Sequence, residues 1–134
     1  MSSRSWVPVR DVMRTDVTKV DGKIDVLSAL KIMKKVGATC LIVERRDEQD
    51  EYGMLLFSDV AKQVIAKDRS PERTNVYEIM AKPVISVQPD MSIRYCARLF
   101  ERFGISHAPV LKGDDVVGIV SYYLLVLQGL PDLD

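Results

Sequence analysis

The sequence predicts an α+β fold: two tandem β-α-β-β-α repeats related by a pseudo-twofold axis, their sheets packed together and their helices outside. Three observations predict it. The chain repeats itself, because Met13, Val17 and Val20 fall on Met80, Val84 and Val87 at an offset of 67 (Met13 to Met80), and Gly37 and Val43 fall on Gly104 and Val110 at the same offset. Within each copy the apolar period changes from strand-like runs to helical spacing and back. Finally, 134 residues, 47% apolar and 28% charged, suit one globular domain, so two copies with little core of their own should share an interior.

The elements follow in order. Val17 to Val20 is a β-branched run ended by Asp21-Gly22, which suits a strand and turn. Val26, Leu30, Met33 and Gly37 then recur at spacings of three and four while Lys31, Lys34 and Lys35 point elsewhere, the pattern of an amphipathic helix. A strand at Cys40 to Val43, a charged connection from Arg45 to Glu51, a strand at Met54 to Phe57 and a helix at Asp59 to Lys67 complete the first copy. In the second copy, Val84 to Val87 is a strand ended by Gln88-Pro89-Asp90, and Ile93, Ala97, Phe100 and Phe103 mark the helix. Asp90 is the expected N-cap there, and Gly104, like Gly37 before it, the left-handed residue that ends the helix. Strands at Ala108 to Leu111 and Val116 to Val120 flank the Lys112-Gly113-Asp114-Asp115 turn, and a helix runs from Tyr122 to Leu130. Gly53 meets Gly118 at an offset of 65, so the second connection is two residues shorter, as befits a loop. Residues 1–67 form the first repeat with its lead, 68–75 a polar linker and 76–134 the second repeat, together one module.

Composition excludes several functions. Nineteen Lys and Arg balance nineteen Asp and Glu, so the basic footprint of a nucleic-acid binder is missing. Met1 to Pro8 lacks the apolar core of a signal peptide, which makes the cytoplasm the expected location. The most apolar stretch, Val116 to Leu130, is shorter than the ~20 residues that span a bilayer. Cys40 and Cys96 lie inside apolar patterns and read as reduced packing residues. A single histidine and no phosphate-binding glycine loop leave no assignable catalytic or metal-binding set.

Particular segments carry a family resemblance. They are the lead Val9 to Met13 and its counterpart Val76-Tyr77-Glu78-Ile79-Met80, the stretch Gly104-Ile105-Ser106-His107-Ala108-Pro109-Val110, and the closing segments Gly53 to Val60 and Gly118 to Leu125. Each is weak alone; twice, in order and at matched spacing, they resemble a tandem cystathionine β-synthase (CBS) domain pair, or Bateman module, from about Val9 to Val126. Such pairs commonly bind AMP, ADP, ATP or S-adenosylmethionine in clefts between the repeats, do no chemistry themselves, and form homodimers through their helices. The resemblance therefore implies a regulatory module that takes an adenine nucleotide as ligand and signals to an unknown regulated protein, with a ligand-free dimerisation module as the alternative.

In the family's Gly-h-x-Thr/Ser-x-x-Asp element, with h apolar, the Asp binds both ribose hydroxyls, a task suited to a carboxylate because its two oxygens can accept both donors. This sequence departs from that element twice. The first copy keeps Asp59 but has Leu56 at the hydroxyl position; the second keeps Ser121 but has Leu124 at the acid position. The resemblance implies one principal site: Asp59 and Ser58, the backbone of Val84, Ile85 and Ser86 on the adenine edge, Met80 and Pro83 as apolar walls, and Ser106 and His107 towards phosphates. A weaker cleft would use Val17, Thr18, Thr39, Cys40 and Ser121. Asp59 is also placed to cap the helix beginning near Val60, and His107 to be a packed strand-edge residue, so both alternatives stand at this point. Arg94, Arg98 and Arg102, spaced by four, read as a solvated ridge, with a phosphate-reaching or partner-docking face as the alternatives.

Overall fold

The computed structural model describes residues 5–82 and 84–133. Its chain gathers into two compact units. One spans Thr18–Val84; the other joins the stretch up to Val17 with that from Ile85 onward.

In the Thr18–Val84 unit, β1 (Lys19–Val20) pairs in parallel with β2 (Cys40–Val43), which pairs antiparallel with β3 (Gly53–Leu56). All four residues of β2 are buried, as expected for the middle strand of a covered sheet. The helix between them, α1 (Val26–Val36), starts where Asp25 accepts hydrogen bonds from Ser28 N at 3.0 Å and Ser28 Oγ at 2.7 Å, and it stops at Gly37, whose φ of 69° is left-handed. Val26, Ala29 and Met33 face Leu41, Val43 and Leu55 in one apolar cluster, which Val76 and Ile79 of α3 (Val76–Ile79) also enter. After β3 the chain turns into α2 (Phe57–Val60), which widens into a π-helical turn at Ala61–Ile65. The segment read as a linker lies against the start of α1: Val26 N donates to Thr74 O and Leu27 N to Pro71 O, with Thr74 buried.

The other unit repeats the plan. Its central helix α4 (Ile93–Phe103) ends at Gly104 with φ 65°, and β4 (His107–Lys112) pairs antiparallel with β5 (Asp115–Ser121). A short α5 (Tyr122–Leu124) then passes into a π-helical turn at Leu125–Gly129. Its core joins Val9 and Val12 from the N-terminal lead to Cys96, Phe100, Val110 and Val120.

Three expectations are corrected. Val84 to Val87 is not a strand; Val87 alone makes a parallel bridge to Val110. Ser92, not Asp90, caps α4, its Oγ accepting from Arg94 N at 3.2 Å, because Ser92 is the extended residue directly before the helix and Asp90 belongs to the preceding turn. Both closing segments are short α-helices continued by π-helical turns rather than uniform helices.

Repeats and compact units also divide the chain differently. Arg14 exchanges backbone hydrogen bonds of 2.9 Å with Ile119 in β5, and Ala81 does so with Met54 in β3. Each lead therefore extends the hairpin of the other repeat: the lead before the first repeat packs with the second, and the lead before the second packs with the first.

Candidate functional site

In the Thr18–Val84 unit, the C-terminal end of β3 delivers Asp59. The chain turns into α2 immediately after Leu56, and Asp59 Oδ2 accepts a hydrogen bond from Leu56 N at 2.9 Å. The carboxylate thus satisfies the backbone donor left over at the start of the helix, the role foreseen as its alternative. Its other oxygen accepts no hydrogen bond among the described residues, and the side chain is half-buried. The register pairs Leu56 with Cys40, and Phe57 N donates to Thr39 O at 3.1 Å, so Thr39, Cys40 and Asp59 share one end of the sheet. Burial, together with the nearby Asp59 charge, pushes the Cys40 thiol up to about 12. Cys40 is therefore a neutral, protonated packing group that supplies no positive charge to an anion.

The unit holding the second repeat has the equivalent corner. His107 pairs with Ser121 across the β4–β5 hairpin, and Tyr122 N donates to Ser106 O at 3.1 Å, the counterpart of the Phe57–Thr39 bond. Ser121 is buried and its Oγ accepts from Leu124 N at 3.3 Å, so the hydroxyl caps α5. His107 Nδ1 lies 2.8 Å from Ser106 Oγ, and burial lowers the imidazole pKa below its ordinary value, favouring the neutral ring. The residue fits the packed strand-edge reading and also keeps one ring nitrogen outside the Ser106 contact.

The remaining expected residues are distributed as follows. Ser58 is half-buried in α2 beside Asp59. Met80 does not join Asp59: its sulfur packs over Gly53 at the other end of β3, where a Cβ on Gly53 would stand 2.7 Å from Sδ. Thr18 O accepts from Ile42 N, which places Thr18 at the entry of β1, and Val17 just before it is half-buried. Val84 and Ile85 are half-buried, Ser86 is exposed, and Pro83 lies outside the described residues. Of the helix residues considered for contacts between copies, Phe103 and Tyr123 are exposed. Phe100 is fully buried, its ring edge-on to Tyr122 at 5.2 Å.

The motif order and the paired corners have a direct counterpart among known proteins. The family model for the CBS domain matches residues 9–66 and 76–126. This chain belongs to the CBS domain family. A homoserine O-acetyltransferase from Methanosalsum zhilinae is 35% identical over 115 residues, which is 85% of this chain and 22% of the enzyme, so the chain spans about a fifth of that relative. The hexameric CBS-CP12 protein from bloom-forming cyanobacteria superposes with a TM-score of 0.90 at 36% identity, covering 92% of this chain and 72% of that one. The CBS domain pair of protein MJ0100, solved with 5′-methylthioadenosine and S-adenosyl-L-methionine, gives a TM-score of 0.77 at 25% identity over 90% of this chain and 93% of that one.

In these CBS repeats the chemical repertoire is narrow. Among the described residues no group of three or more His, Cys, Asp or Glu side chains could hold a metal ion, and no helix is long and apolar enough to cross a membrane. What the CBS corners offer is a fixed carboxylate in one repeat, a hydroxyl-imidazole pair in the other, and backbone edges. The basic side chains Lys23, Arg45, Arg46 and Lys82 line a separate cavity of the Thr18–Val84 unit that the sequence does not mark, because Arg45 to Glu51 reads as a solvated loop. The doublet Arg45-Arg46, one residue beyond a buried strand, is the available signal.

Proposed function

We propose that this CBS domain pair is a cytoplasmic, non-catalytic regulatory module that binds an adenine nucleotide, AMP, ADP or ATP, and passes its occupancy to a partner protein. One observation carries the reading. The Asp59 carboxylate stands at the family's ribose-binding position, fixed through Oδ2 by Leu56 N at 2.9 Å and with its second oxygen unspent. A carboxylate oriented in advance loses little freedom on taking up a diol. In the other unit His107, backed by Ser106, is the proposed anion-binding residue, since an anion stabilises the imidazolium that burial disfavours. The adenosine compounds held by the MJ0100 pair support the ligand class. A ligand of this kind biases its module only by its differential affinity for two arrangements, typically ~1–3 kcal/mol. Exposed Phe103 and Tyr123 are the proposed contacts of a homodimer.

A second reading is a ligand-free dimerisation module. It is favoured by Leu56 and Leu124, which remove half of each binding element, and by the capping role of Ser121. Calorimetric titration with AMP, ADP and ATP separates the two. The regulatory reading expects saturable binding of at least one nucleotide, weakened about tenfold or more by Asp59→Asn, which loses the charge and keeps an acceptor for Leu56 N. No heat from any of the three would leave the scaffold reading standing.

A further inference from the structure

We propose that the Thr18–Val84 unit carries a second ligand site, distinct from Asp59, that binds a small polyphosphate anion in the cavity at the C-terminal ends of β1 and β2. The cavity measures about 680 Å³ and is lined by Lys23, Arg45, Arg46 and Lys82, with Tyr77 as a flat wall. That volume falls in the range of small-molecule sites and exceeds what a single phosphate fills. It lies beyond Val20 and Val43, which pair at one end of the sheet, whereas Asp59 follows Leu56 at the other end of β3. The two locations are therefore separated by the length of the strand.

Two of the cations are tied to one buried carboxylate, while the Arg46 side chain stays 77% exposed and Lys23 is exposed as well. The Asp50 side chain, 8% exposed, accepts from Arg46 Nε at 3.0 Å and from Lys82 Nζ at 2.8 Å. The two cations, Arg46 foremost, hold the Asp50 carboxyl well below the usual carboxylate range, so it stays ionised and keeps both in position. Arg45 stacks on the Tyr52 ring at 5.0 Å. Lys23 follows a turn in which Asp21 Oδ1 accepts from Lys23 N at 2.8 Å. Tyr77 N donates to Gly22 O at 2.9 Å, which sets the aromatic residue beside the Asp21–Lys23 turn. Glu44 is the other lining acid and is exposed; with Asp50, which pairs Arg46 and Lys82, three carboxylates stand against the four cations. Four cations lining one cavity, with Arg46 and Lys82 oriented by Asp50, match a ligand carrying several anionic oxygens.

Inorganic triphosphate, which has no ribose or adenine, is the probe. Titrated into the full-length chain and followed by backbone amide NMR, it should shift the amides of Asp21 to Lys23 and Glu44 to Arg46. The double variant Lys23→Gln with Arg45→Gln, which leaves the Asp50 pairs intact, should weaken binding at least about tenfold. Asp59→Asn should leave the affinity within about twofold, which keeps this site separate from the ribose reading. Lys34→Gln with Lys35→Gln, on α1 and outside the cavity lining, should do the same. The inference is overturned by absence of saturation at about 10 mM, by shifts centred on the α1 lysines, or by equal weakening in the Lys34/Lys35 variant.

Discussion

A carboxylate that closes the first turn of its own helix can still serve a ligand, because it has two oxygens and Asp59 spends only Oδ2 on Leu56 N. The capping role was legible in the motif, since Asp59 stands in the first turn of the helix that follows a strand. The proximity of Cys40 to Asp59 was not legible, because it depends on the β2–β3 register. His107 carries a prediction at the same scale. Burial lowers its folded pKa below the unfolded value, so the folded state binds fewer protons between the two. Its contribution is complete above the unfolded pKa of about 6.5 and is lost as pH falls through that value towards the lower folded one. Thermal melts from pH 7.5 to 5.5 should show a steeper fall in Tm for the parent chain than for His107→Gln. Parallel slopes would mean that the ring is solvated in the folded state. Nucleotide bound at His107 should reverse the trend, since a phosphate favours the charged ring.

Individual elements test the repeat more finely than the overall fold does. Gly53 and Gly118 are equivalent, and each opens a strand to the returning lead, yet their surroundings differ. A Cβ on Gly118 would sit 2.8 Å from the backbone oxygen of Arg14, whereas on Gly53 the one contact under 3.0 Å is the flexible Met80 sulfur, with Ala81 O at 3.3 Å. A backbone carbonyl engaged in the Arg14–Ile119 bridge cannot yield as a thioether can. Gly118→Ala should therefore cost about 1–3 kcal/mol and Gly53→Ala less than about 1 kcal/mol, read from urea unfolding midpoints. Equal losses would show that side-chain softness does not decide the outcome. Helix placement was legible in this sequence because the three-four spacing and the left-handed glycines Gly37 and Gly104 are local signals. The α4 cap was missed by two residues. Asp90 and Ser92 are both good caps, and only the extended backbone of Ser92 decides between them. Val84 to Val87 misled for the opposite reason: its β-branched composition suits a strand, but ladder pairing is non-local, and Val87 alone finds a partner.

At the scale of the whole molecule, duplication was plain in the sequence, while the pairing of leads with hairpins was not. The leads Val9 to Met13 and Val76 to Met80 carry the same apolar pattern, so either one fits either hairpin by composition; long-range backbone pairing breaks the tie. The result places Val9 and Val12 in the core with Cys96, whereas Cys40 belongs to the other unit. The chain thus holds one buried thiol per unit, Cys96 fully buried and Cys40 6% exposed, and burial pushes them up to about 11 and about 12. Neither should react with a thiol reagent at neutral pH unless its unit opens, so labelling rates report the stability of each unit separately. Val9→Ala removes two buried methyl groups from one core and should destabilise it by about 2 kcal/mol, accelerating Cys96 labelling up to about thirtyfold. Cys40 should accelerate less, because Val9 makes no part of its cluster. Faster gain at Cys40 than at Cys96 would mean that the first lead stabilises its own repeat, and the exchange of leads between repeats would have to be abandoned.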